Sequence, residues 1–116
     1  MAVKNMTPIK GVVNKLTGFA FEAAEVAADG MKFQLPRKSD EYVVVVVHNT
    51  SADTAYDFTV KAPTKGSYAA ASSDETHELA AGEFAFFRFE SARYANTDGT
   101  VLCVPENVAV KAAVLY

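Results

Sequence analysis

Apolar and polar residues alternate along much of this chain with a period of two, the side-chain period of an extended strand. In Tyr56-Asp57-Phe58-Thr59-Val60-Lys61 the alternation sets Tyr56, Phe58 and Val60 on one face, which predicts a half-buried antiparallel strand. Met31-Lys32-Phe33-Gln34-Leu35 repeats the pattern and is closed by Pro36. Val108–Leu115 sets Val108, Val110, Ala112 and Val114 against Ala109, Lys111, Ala113 and Leu115. Two stretches are apolar on both faces. Tyr42–His48 contains a β-branched valine run that pleated sheet favours and helix tolerates poorly, and Glu83–Glu90 carries Phe84, Phe86, Phe87 and Phe89. Both are expected as central strands, the valine strand covered on both sides.

The remaining elements follow from turn chemistry. Asn49–Asp53 and Ala81-Gly82 read as turns, and Asn96-Thr97-Asp98-Gly99 as a hairpin signal, because Asp-Gly suits positive φ angles. The valine strand and Tyr56–Lys61 then form a hairpin or an inter-sheet pair. A first strand is expected within Gly11–Thr17 or Phe19–Val26, a short one near Thr76–Leu79, and another at Thr100–Val104, ended by Pro105. Phe21–Ala28 has helix-forming composition but is short and uncapped. After Pro63 a long crossing connection suits a Greek key. The sum is an all-β chain: a single antiparallel β-sandwich of about seven or eight strands, Greek-key or immunoglobulin/jelly-roll-like. One domain over residues 11–116 is expected, preceded by an N-terminal arm over residues 1–10.

Composition narrows the function. The chain has 116 residues and a net charge of −3, and it is 50% hydrophobic and 22% charged, which supports a packed core and excludes disorder as the main state. Mild acidity argues against a nucleic-acid partner. The longest apolar stretch, Val43–Val47, is far short of a membrane helix, and the N-terminus lacks a signal-peptide run. No membrane partner and no export are therefore expected. Cys103 has no second cysteine to pair with, and its Val-Leu-Cys-Val context reads as a small hydrophobe in a strand.

Candidate chemistry is sparse. His48 continues the valine strand, and His77 lies beside Asp74, Glu75 and Glu78, where an exposed polar loop is favoured over a cation site. A blue-copper set fails, since no His follows Cys103 closely. No nucleophile elbow, phosphate loop or raised-pKa carboxylate pair is visible, so an enzyme is not expected, and no cofactor or metal. Asn49-Thr50-Ser51 and Asn5-Met6-Thr7 match the glycosylation pattern but mean little without export. Interface candidates remain. Val3, Met6 and Ile9 lie on the arm between Lys4 and Lys10, which frays or orders against a neighbouring subunit. Arg93 and Tyr94 follow the phenylalanine strand, and Tyr68 is a further aromatic candidate in the crossing loop.

The valine strand ending in His48-Asn49-Thr50-Ser51, the alternating strand reaching Val60-Lys61-Ala62, and Ala80-Ala81-Gly82-Glu83 leading to Glu90-Ser91-Ala92-Arg93-Tyr94 form a recognisable pattern. With Asp98-Gly99 and Val108–Leu115, it resembles small β-sandwich virion proteins of tailed bacteriophages and prophages, of the head-decoration or capsid-associated type. The resemblance spans roughly residues 30–116; Ala62-Pro63 departs from the Ala-Gly expected there. It implies a non-enzymatic structural protein without cofactor, homo-oligomeric or bound to a capsid or other virion protein, assembled in the bacterial host cytoplasm. The alternative is an immunoglobulin-like or carbohydrate-binding module, against which the absence of Trp weighs.

Overall fold

The computed structural model describes residues 2–35, 43–64, 73–88 and 94–116. Eight strands lie among them: β1 (Lys4–Asn5), β2 (Met31–Gln34), β3 (Val44–Asn49), β4 (Tyr56–Val60), β5 (Glu75–Leu79), β6 (Phe84–Arg88), β7 (Thr100–Pro105) and β8 (Val110–Leu115). One 3-10 turn, Ala27–Asp29, precedes β2. The strands form a five-stranded sheet in the order β1-β2-β7-β4-β5 and a three-stranded sheet in the order β6-β3-β8. All neighbours are antiparallel except β1 and β2, whose parallel pairing departs from the purely antiparallel expectation.

The core lies between the two sheets. Met31, Phe33, Phe58, Val60, Leu79, Val101 and Cys103 project from the larger sheet, and Val45, Val47, Val110, Ala112 and Val114 from the smaller one. Burial of these side chains supplies the main driving force, at roughly 25 cal/mol per Å² of apolar surface removed from water. Gly30 shows how closely the backbones pack. Its φ of +79° suits glycine, and a Cβ there would lie 2.6 Å from the Cys103 carbonyl oxygen.

The valine strand β3 is central in its sheet, as expected, and β3 and β4 are an inter-sheet pair. However, β3 is not covered on both sides. Val45, Val47 and Asn49 are buried, whereas Val44, Val46 and His48 are only half-buried. The phenylalanine strand β6 is a sheet edge, not a second central strand, and Phe84 and Phe86 are 61% and 71% exposed. Four phenylalanines signal apolar surface, but they do not say whether this chain covers it.

No strand forms in Gly11–Thr17 or Phe19–Val26. Instead, residues 9–22 run along the outer edge of β8 and touch it at two points. Ile9 donates its N–H to the Val114 carbonyl (2.8 Å) and accepts from Tyr116 (3.0 Å), while Glu22 and Ala112 exchange both bonds (2.7 and 2.9 Å). The supposed arm is therefore stitched into the sandwich. Lys4 donates to the Gly30 carbonyl and Met6 to that of Lys32, and Met6 is 5% exposed, inside the core.

Candidate functional site

The interface residues expected from sequence separate into three groups. Met6 belongs to the core, so it is withdrawn as an interface residue, and the half-buried Val3 and Ile9 flank the same stitched segment. Tyr94 is half-buried with its ring edge-on to Phe87, the centroids 5.4 Å apart and the planes at 88°. Tyr68 and Arg93 lie outside the described residues. Among the described residues, three other surfaces stand open to a partner.

The first is the outer face of the three-stranded sheet. Register places Phe84 beside His48 and His48 beside Lys111; one step along, Phe86 lies beside Val46 and Val46 beside Ala113. These residues share the face opposite the inter-sheet core, because side chains alternate across a strand, and all but the buried Ala113 reach the surface. The His48 ring stacks on Phe84 at 3.9 Å with an interplanar angle of 3°, and Phe21 tilts against both rings. His48 is thus at a strand end, where the valine pattern put it, and it serves as one plate of an aromatic stack.

The second is a tip between the two attachments to β8. Lys15 donates its N–H to the Val12 carbonyl (3.1 Å), closing a turn in which Asn14 has φ +62°. Asn tolerates that left-handed conformation better than most residues. The turn thrusts Val13 and Leu16 outward, 87% and 101% exposed, with the exposed Lys10 and Lys15 nearby in the chain.

The third is a groove where β5 and β6, the edges of the two sheets, face one another. Val47, Phe58, Val60, Leu79 and Ala85 line a cavity of about 230 Å³, with Glu75 and His77 at its rim. His77 sits on β5, not in a loop, and its Nε2 lies 3.2 Å from Glu83. The other Glu83 oxygen accepts the Ala80 N–H at 2.8 Å. That N–H, with the His77 hydrogen bond, holds the Glu83 carboxyl below the usual carboxylate range.

One buried polar residue organises this end of the molecule. Asn49 is fully buried, and its amide donates to the carbonyls of Thr54, Leu79 and Ala80, while its side-chain oxygen accepts from Ser51 N–H (3.0 Å). Its own backbone pairs with Glu83 and Gly82. Asn49 so ties the end of β3 to the β5–β6 turn, and no glycan can be attached to it in the folded state. Sequence showed only a polar turn there; that three carbonyls converge on one amide is a tertiary fact.

Cys103 is wholly buried in β7, and burial pushes its thiol up to about 12, so it is an inert small hydrophobe at neutral pH. Asp74 is held below the ordinary carboxylate range by the Lys61 ammonium at 2.7 Å and the Ala62 N–H at 2.8 Å. Among the described residues no group of three or more His, Cys, Asp or Glu side chains is placed to hold a metal ion. Nor, among them, is any helix long and apolar enough to cross a membrane. Comparison with family models, curated proteins and solved structures finds no match to this chain.

Proposed function

We propose that this chain is a non-enzymatic structural protein of a phage or prophage particle, a capsid-decorating or head-associated module that works through contacts between copies and with a capsid protein. The observation that carries the reading is large apolar side chains that the sandwich leaves in water: Val13 and Leu16 on the tip, Phe84 and Phe86 on the edge strand. A self-contained domain rarely leaves such groups clustered, and clusters of this kind mark interaction surfaces. An unprotected apolar edge strand is also a pairing hazard that isolated proteins blunt with charge, proline or a covering segment. In a particle the same features are useful, because many weak contacts held in parallel give high avidity. The sequence resemblance to phage head-decoration proteins points the same way.

The experiment is mass spectrometry of particles purified from an induced culture of the source organism. The reading expects this chain at a fixed ratio to a major capsid or tail protein. Particles that form without it would overturn the reading, and glycan and partner screens would then take precedence.

A further inference from the structure

The tip and the groove are complementary in polarity and charge, and they occupy opposite edges of the three-stranded sheet. The tip leaves the chain beside β8, while the groove opens beside β6. In the free protein Leu16 touches nothing, at 101% exposure. The groove is walled by aliphatic and aromatic side chains, and its volume of about 230 Å³ exceeds the ~150 Å³ at which an apolar cavity holds benzene. An isobutyl group therefore fits with room for a neighbouring valine. Lys10 and Lys15 give the tip positive charge, and Glu75 gives the groove's rim negative charge.

We propose that the Val12–Leu16 tip of one copy inserts into the β5–β6 groove of a second copy, so that the protein associates head to tail. The occupant of the groove is this chain itself. Leu16 is the anchor, seated against Ala85, Phe86 and Phe87 over a floor of Val47, Phe58, Val60 and Leu79 that is already buried. Lys15 faces the Glu75 carboxylate, where opposite charge sets register and discourages tip-to-tip or groove-to-groove contact. Because key and lock lie on different patches, the contact is heterologous and continues from copy to copy, closing into a ring or running on as a lattice row. The inference deepens the structural reading above and rests on it for its setting. Its test needs only the isolated protein, so the two can fail separately.

Disulfide trapping decides it. Leu16→Cys protein is mixed with Ala85→Cys protein under mild oxidation, the buried Cys103 remaining silent. A second mixture pairs Lys15→Cys with Glu75→Cys, both exposed positions whose replacement spares the fold. The expected result is cross-linked heterodimer in several-fold excess over either homodimer in both mixtures. Lys15→Glu should weaken association roughly tenfold, and mixing it with Glu75→Lys protein should restore it. Heterodimer at no more than the random ratio in the exposed pair, or wild-type protein that stays monomeric at its highest soluble concentration, would overturn the proposal.

Discussion

At one edge of the sandwich the backbone of β8 is covered by Ile9 and Glu22, and the segment that covers it continues into the core through Met6 and Ala24. At the other, β5 and β6 stand apart around an apolar groove, and exposed phenylalanines line the edge strand. The closed edge is finished by the chain's own residues. At the open edge β5 and β6 are laddered to β4 and β3, and polar bonds tie the turn between them, Asn49 to Leu79 and Ala80 and Glu83 to Ala80 and His77. Apolar groups at the closed edge thus serve folding, whereas Phe84 and Phe86 on β6 and Val13 and Leu16 on the tip are surplus to it. Surface of the second kind is where a partner gains affinity without the fold having to change.

Four variants test the contrast between the two edges. Asn49→Leu has the largest effect, because it leaves the buried Leu79 carbonyl, the part-buried Thr54 and Ala80 carbonyls and the Ser51 N–H without their partner. Urea denaturation should show a loss of about 4 kcal/mol, against roughly 1–3 kcal/mol for each buried group left unmade. Met6→Ala follows, at about 2 kcal/mol or somewhat more, the cost of a cavity at the closed edge. If Met6 were an exposed arm residue, the same measurement would give almost nothing.

The double change Phe84→Ser with Phe86→Ser should alter monomer stability by less than about 1 kcal/mol, since both rings are mostly in water already. Its effect should appear in association, read by light scattering. Asp74→Asn is smallest, a few tenths of a kcal/mol, because the Lys61 pair is exposed and screened. The sign follows from the depressed pKa. The Asp74 contribution is complete above the ordinary carboxylate value near 3.8 and fades as pH falls through the lower folded value. The stability difference between wild type and Asp74→Asn should therefore vanish in strong acid, and it should shrink with added salt at neutral pH.

The same contrast explains what was legible in the sequence. Period-two segments such as Tyr56–Val60 and Met31–Gln34 declared their strands, because one face meets core and the other meets solvent. The valine run declared a central strand for its β-branched chemistry, but not that its second face stays half open. Glu83–Glu90 misled in the same way, since an apolar residue reads alike whether its cover is this chain or another. Residues 9–22 carry no strong period, and their attachment to β8 depends on two separated backbone contacts that no local pattern encodes. The Val-Val-Asn-Lys-Leu tip had a signal, an Asn between apolar residues at a turn, but its meaning needed the exposure of Leu16. Asn49 was visible as a turn residue; its three acceptors come from segments up to thirty-one positions away.

Sedimentation of wild type and Leu16→Asp over a range of concentrations, with the melting temperature of each, tests most directly whether the surplus apolar surface serves association and not folding. Wild type should grow heavier with concentration, while Leu16→Asp stays monomeric and melts at the same temperature. Identical sedimentation of the two proteins, or a melting temperature lowered in Leu16→Asp as far as in Met6→Ala, would contradict it.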